Sequence, residues 1–169
     1  MRKQICQKRF IFAALVPLLI LLPKLNSTLP GQRHAAREVA GYFQTLAYIQ
    51  TGLESFFYLT PEENLSALHL HSLLSTPFVA VGYTEGGRFV SWIAAAASII
   101  LIILLANELF NKQIAILAPF LLMIQPLFAA SSFAYQTEAL SISLTTGALY
   151  CCLKFAKSDD QFWAVSSAI

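Results

Sequence analysis

Glu38 and Glu138 are the residues whose type and placement in this chain suit chemistry best. Glu138 stands at the edge of an apolar stretch, and Glu38 stands in a long polar loop. An ionisable group beside lipid is costly unless it is solvated or paired, so such a group is a candidate functional residue. We expect both carboxylates to face the same side of a membrane and to share one site.

Two arginines accompany the first of these carboxylates. On a helix, His34, Glu38 and Tyr42 are four apart and share one face, and Arg33 and Arg37 form the adjacent stripe. A carboxylate beside guanidinium groups suits a reaction in which a phosphate leaves. The acid deprotonates an attacking hydroxyl, and arginine neutralises the leaving charge. The alternative is a solvated helix face with ordinary charge pairs.

Other ionisable residues have simpler explanations. Glu138 itself is also explained as an acidic residue favoured by the dipole at a helix N-terminus. Glu108 precedes Lys112 by four residues, so the spacing predicts a local ion pair. His69 and His71 are two apart and point to different sides of a helix. No metal site is therefore predicted there.

The composition indicates an integral membrane protein. The chain has 169 residues, of which 57% are hydrophobic and 12% are charged, whereas soluble domains carry about 25% charged residues. A net charge of +2 gives no reason to expect a nucleic-acid partner. The three cysteines have no spacing typical of a disulfide framework or a zinc site.

Hydrophobic periodicity predicts an all-α fold of polytopic transmembrane helices in one membrane domain over 1–169. The apolar stretches that we expect to form spans lie at about 8–24, 89–106, 114–134 and 139–155, and a fifth begins at 161–169. The last stretch is still apolar at Ile169. The sequence is therefore predicted to be an N-terminal fragment of a longer protein.

The distribution of lysine and arginine predicts the orientation. Seven of the eleven basic residues fall in short segments on one side, and four fall in the loop over 24–88. The positive-inside rule then places the N-terminus in the cytoplasm and this loop outside. Within it, apolar spacing predicts amphipathic juxtamembrane helices over 35–51, ending at Gly52, and over 65–81, broken by Pro77. We expect both to lie along the membrane surface.

The order of these features resembles the N-terminal part of the GT-C membrane glycosyltransferases. The closest types are the protein O-mannosyltransferases and the aminoarabinose transferases. The residues that carry the resemblance are a cytoplasmic turn, a Pro-Leu-Phe phrase and isolated positions on the next helix: 106–112, 125–128, Ser132, Glu138 and 148–150. The similarity covers most of residues 30–155.

The resemblance implies an enzyme that moves a sugar from a polyprenyl-phosphate donor to an acceptor hydroxyl on the extracytoplasmic side. It implies Glu38 as the general base and Glu138, where the family usually has aspartate, as a supporting acid. Arg33 and Arg37 are then the partners of the donor phosphate. The family's acidic pair aligns with Glu38 in two registers, counted from Gly52 or from Tyr42, and in a third register it does not.

The expected setting is a bacterial or archaeal plasma membrane, with membrane lipid and the lipid-linked donor as partners. No cofactor is assigned, and a divalent cation is left open. The alternative function is that of a non-catalytic membrane protein, either a degenerate paralogue or a subunit of an envelope-assembly complex. A small transporter is a third interpretation, for which Gln125 is the one polar residue near a span centre.

Overall fold

The computed structural model describes residues 32–52, 69–132, 134 and 137–158, together with residues 15, 16 and 19. Within these residues all regular structure is helical, which confirms the predicted all-α class. The helices are α1 Gln32–Thr51, α2 His69–Ala80, α3 Gly86–Leu109, α4 Lys112–Ile124, α5 Pro126–Ser131 and α6 Glu138–Ser158. Most of the predicted first span and all of the fifth apolar stretch lie outside the described residues.

Helix α3 is the central element of the described structure. Its 24 residues extend over roughly 36 Å, enough to cross a hydrocarbon layer of about 30 Å. It packs against α2, α4 and α6, while α1 packs on α2 and α5 packs on α4 and α6. In the described residues, α3 and α6 are the helices long and apolar enough to span a membrane.

Small residues bring α3 and α6 together. Ala94, Ala95 and Ser98 of α3 are buried, as is Ala139 of α6. Ser98 Oγ donates to the carbonyl of Ala94 at 3.0 Å and lies 3.5 Å from the carbonyl oxygen of Ala139. Close backbone approach through small side chains drives helix association in lipid, where the hydrophobic effect contributes little. This interface therefore suits a membrane domain.

The apolar stretch predicted as a third span forms two helices rather than one. Gln125 adopts an extended conformation with ψ 118° between α4 and α5, and Pro126 is the first residue of α5. Proline disfavours the helical conformation of the residue before it but fits the first position of a helix. Pro119, by contrast, lies inside α4. The 13 residues of α4 reach only about 20 Å, less than a full span.

Helix α2 also differs from the expectation, because it continues through Pro77 instead of breaking there. It ends at a glycine in the left-handed region, Gly82, with φ 90°. The Gly82 N–H donates to the Val79 carbonyl at 2.9 Å, and the Tyr83 N–H donates to the Phe78 carbonyl at 3.0 Å. This pair of bonds is a Schellman motif. The stop signal is therefore the glycine and not the proline.

Gly86 allows α2 and α3 to approach closely. A Cβ at this position would lie 2.8 Å from Phe78 Cβ and 3.1 Å from Val79 Cγ2. We expect Gly86→Ala to destabilise the protein by about 1–3 kcal/mol through overpacking. The matched control is Gly147→Ala, whose Cβ would meet Leu101 Cδ1 at an ordinary 3.5 Å. Because alanine favours a helix interior by about 1 kcal/mol, the control is expected to be neutral or stabilising. Equal melting temperatures in detergent would contradict this account.

Candidate functional site

Helix α1 carries the first group of predicted site residues. It runs to Thr51, and Gly52 follows at φ 64°, as the sequence predicts. The backbone at Arg33, Arg37 and Glu38 is helical, so Glu38 stands one turn before Tyr42 on the same row. Their side chains lie outside the described part of the structure. The roles of Glu38 as a general base and of Arg33 and Arg37 as phosphate partners therefore stay predictions.

Glu138 is the first residue of α6 and is half-buried. The carbonyl of Thr137 accepts the backbone N–H of Ser141 at 2.8 Å, which closes the first turn of the helix. A carboxylate in this turn is favoured by the helix dipole. The local structure thus agrees with an ordinary helix-start charge, although Oε2 of this carboxylate is buried while the residue as a whole is only half-buried.

The level at which α6 begins is set by its contact with the middle of α3. Ser98 Oγ lies 3.5 Å from the Ala139 carbonyl oxygen, next to Glu138. Residues 86–97 of α3 continue beyond this contact, a length of roughly 18 Å. No charged side chain occurs in α3 from Phe89 to this level. Glu138 therefore lies near the middle of α3, well away from its first turn.

Helices α3 and α6 run in the same direction. Their middle contact joins Ser98 to Ala139, and their last turns are joined by Glu108 and Lys157. Helix α6 therefore runs from the middle of α3 toward the end of the bundle at which α3 finishes. Helix α2 packs at the other end, where Gly86 meets Phe78, and α1 packs on α2. Helices α1 and α2 thus pack at the end of the bundle at which α3 begins, and Glu138 lies nearer the middle of α3.

At the end of the bundle where α3 and α6 finish, Glu108 forms ion pairs with other lysines than the sequence predicts. Glu108 Oε1 accepts a hydrogen bond from Lys154 Nζ, and Glu108 Oε2 accepts one from Lys157 Nζ at 2.8 Å. Lys112 is not the partner, because Asn111 caps a new helix between them by accepting the N–H of Ile114 at 3.0 Å. The four-residue spacing rule applies only within one helix. The ion pairs therefore join α3 to α6 rather than stabilising α3 alone.

Reversing the central charge tests this inter-helix cluster. We expect Glu108→Lys to lower the melting temperature, because three positive side chains then meet where α3 and α6 end. The effect is modest, since ion pairs with solvent access contribute little. Adding Lys154→Glu and Lys157→Glu to that variant should recover most of the loss. Lys112→Glu, at an exposed position of α4, is the control. An unchanged melting temperature for Glu108→Lys would rule out a stabilising cluster.

A buried polar pair between α2 and α3 was missed by sequence reasoning. His71 Nε2 lies 2.8 Å from Ser91 Oγ, and both residues are fully buried. A histidine in an apolar stretch was the available signal, but its partner is 20 residues away. Among the described residues no three His, Cys, Asp or Glu side chains form a group that could hold a metal ion.

A comparison with known families decides the class of the protein. The family model of dolichyl-phosphate-mannose-protein mannosyltransferases matches residues 73–169, more than half of the chain. The chain belongs to this family. Membership of the dolichyl-phosphate-mannose-protein mannosyltransferase family confirms the predicted resemblance to GT-C membrane glycosyltransferases, which use a lipid-linked sugar donor. With the two apolar helices, it also confirms an integral membrane protein. No curated protein and no solved structure matches the chain.

Of the two candidate acids, Glu138 lies inside the mannosyltransferase family match and Glu38 lies outside it. The match also includes all of α3 to α6, and it begins at Leu73 within α2. Glu38, Arg33 and Arg37 precede it. The roles of all four residues stay predictions.

Proposed function

We propose that this protein transfers a sugar from a polyprenyl-phosphate donor to an acceptor hydroxyl on the extracytoplasmic side. The observation that carries the proposal is the position of Glu138. This carboxylate heads α6 within the family match, and it lies near the middle of α3. An ionisable group within a membrane domain is costly to keep there and is a candidate functional residue. Its position within the family match supports a role in the transfer reaction.

The level of Glu138 also explains why the donor is a lipid. A polyprenyl chain stays among the acyl chains while its phosphate and sugar reach the polar region. A site that is recessed below the outer end of α3 meets this headgroup without drawing the tail out of the bilayer. A soluble nucleotide sugar has no such anchor. The recessed acid therefore favours a lipid-linked donor over a soluble one.

The proposed chemistry is a direct displacement at the anomeric carbon. Glu38 takes the proton of the acceptor hydroxyl, and the hydroxyl oxygen forms a bond to the sugar carbon. The bond from that carbon to the phosphate oxygen breaks, and the polyprenyl phosphate leaves with the electron pair. Arg33 and Arg37 neutralise its charge, and Glu138 supports the site as a second acid. A single displacement inverts the configuration at the sugar carbon.

The proposed orientation has the N-terminus in the cytoplasm. Lys154 and Lys157 mark the end of α6 that lies far from Glu138, and Lys112 begins α4 at the same end. Short segments rich in lysine stay in the cytoplasm. Glu138 and α1 then face the extracytoplasmic side. A bacterial or archaeal plasma membrane is the proposed location.

A donor comparison tests the proposed function. Vesicles that contain the protein are given a radiolabelled sugar on either a polyprenyl phosphate or a nucleotide, with hydroxyl-bearing acceptors present. Label is expected in the acceptor from the lipid-linked donor alone, with inverted anomeric configuration. Equal transfer from the nucleotide sugar would contradict the proposal. No transfer from either donor by folded protein would favour the non-catalytic alternative. A parallel reaction with a chelator tests the divalent cation.

A further inference from the structure

The contact between α1 and α2 is built from polar groups. Thr45 Oγ1 lies 2.9 Å from the Gly41 carbonyl oxygen and 3.4 Å from the Ser72 carbonyl oxygen, within reach of both helices. Ser72 Oγ donates to Gln44 Oε1 at 3.0 Å. Thr45 and Ser72 are fully buried. We call these four residues, together with the His71–Ser91 pair, the polar seam.

Polar groups also lie at the contact between α2 and α3, where they include Ser75 as a further member of the polar seam. His71 Nε2 and Ser91 Oγ are 2.8 Å apart, and Ser75 Oγ donates to the His71 carbonyl at 2.8 Å. Ser75 is fully buried as well. Hydroxyl, amide and imidazole groups thus lie in the interior of the corner formed by the three helices, beside the buried side chains of Tyr48, Val79 and Val90.

The outward faces of the same helices are apolar. On α1, Val39 and Phe43 are one turn apart and exposed, the latter by 64%. On α2, the exposed side chains recur at helical spacing: Leu70, Leu73, Leu74, Pro77 and Val81, which follows its last turn. These positions lie on the sides of α1 and α2 away from the seam, because the seam residues Thr45, Ser72 and Ser75 fall on the other side of each helix.

This arrangement of polar side chains inside and apolar side chains outside is the opposite of the one found in water-soluble proteins. A helix pair at an aqueous surface buries its apolar side chains and exposes its polar ones, and large exposed apolar patches are rare. In a bilayer the preferred arrangement is the opposite. Hydrogen-bonding and small residues lie between helices, and apolar side chains face the acyl chains. The distribution along α1 and α2 matches the bilayer case.

The apolar face of α2 also joins a surface that already faces lipid. A short turn over 81–85 connects α2 to the spanning helix α3. The ring of Phe78 packs edge-to-face on Phe89 with centroids 5.1 Å apart. Further along α3, Ile93 and Ile100 are exposed in its membrane-spanning part. The exposed leucines of α2 therefore continue the lipid-facing surface of α3.

We propose that α2 and the part of α1 from Val39 onward are sunk into the leaflet that holds the start of α3, with their outward faces against lipid acyl chains. The partner of this surface is hydrocarbon. Both helices then lie within the apolar layer, instead of resting on the membrane surface as the sequence alone predicts. The lipid contact is independent of the proposed transfer reaction and survives if that reaction is absent.

Spin-label accessibility tests the lipid contact. The three cysteines are first replaced by serine in the full chain, and single cysteines are introduced at Phe43 or Leu73. Nitroxide-labelled protein is reconstituted into vesicles of phosphatidylcholine and phosphatidylglycerol. Collision rates are then measured with oxygen, which concentrates in hydrocarbon, and with a water-soluble nickel chelate. The controls are Ile100→Cys on the lipid face of α3 and Thr84→Cys on the exposed turn.

Labels at Phe43 and Leu73 are expected to collide with oxygen severalfold more often than with the nickel chelate, as the label at Ile100 does. The label at Thr84 is expected to collide more often with the nickel chelate. A ratio equal to that at Thr84 would overturn the proposal, because the faces would then lie in water. Low collision rates with both reagents would also overturn it, since another polypeptide would then cover the faces. Val39→Cys and Leu74→Cys provide second positions on each helix if a first variant does not fold.

Discussion

Glu38→Gln is expected to lower sugar transfer by about 10²- to 10⁴-fold, the contribution typical of a general base. The substitution keeps the size and helix preference of the side chain but removes its ability to take a proton. Helix α1 and its packing on α2 should therefore be unaffected. The measurement is the initial rate of transfer from a labelled polyprenyl-phosphate sugar, with protein amount and circular dichroism matched to the unsubstituted protein.

The matched control is Glu85→Gln, the same chemical change on the turn before α3. Glu85 pairs with Arg88 at 3.1 Å and has no proposed role in transfer. Its transfer rate is expected to stay within twofold of the unsubstituted protein, about 0.4 kcal/mol. If Glu38→Gln also transfers at an unaltered rate, Glu38 is not the base.

Ser91→Ala is expected to destabilise the corner between α2 and α3 by about 1–3 kcal/mol, the usual cost of removing one partner from a buried hydrogen bond. Ser91 Oγ lies 2.8 Å from His71 Nε2, and both residues are fully buried. Alanine keeps the small size of the side chain at this helix contact, so the loss of stability reports the hydrogen bond rather than the packing.

The measurement is the melting temperature in detergent. The matched control is Thr51→Ala, which removes an exposed hydroxyl that donates to the Ala47 carbonyl within α1, and its melting temperature is expected to stay unchanged. A melting temperature of Ser91→Ala equal to that of the unsubstituted protein would show that the His71–Ser91 pair does not stabilise the contact.

The strongest elements of the fold could be predicted because their signals are local. The uncharged stretch from Phe89 predicts α3, and the apolar spacing before Gly52 predicts α1 and its end. The errors concern the effect of single prolines on helix boundaries. Pro77 was expected to break a helix that continues to Ala80, and the apolar stretch around Pro126 forms two helices, α4 and α5, instead of one.

The features that sequence reasoning could not supply depend on contacts between distant elements. Glu108 pairs with lysines 46 and 49 residues away, a separation for which no spacing rule exists. The depth of Glu138 follows from Ser98 meeting Ala139, 41 residues apart. The sequence identified Glu138 as a candidate from its place beside an apolar stretch, but its level along α3 required the packing of both helices.

The central claim is that Glu38 and Glu138 face the same aqueous compartment, and labelling of single cysteines tests it most directly. Gln32→Cys marks the start of α1, Thr137→Cys stands beside Glu138, and Asn111→Cys marks the opposite end. Each is placed in the cysteine-free chain in sealed vesicles of known orientation and exposed to a small membrane-impermeant thiol reagent.

Gln32→Cys and Thr137→Cys are predicted to react from the extracytoplasmic side, whereas Asn111→Cys reacts only after the vesicles are opened. Reaction of Thr137→Cys only from the cytoplasmic side, with Gln32→Cys reacting from outside, would contradict the shared site.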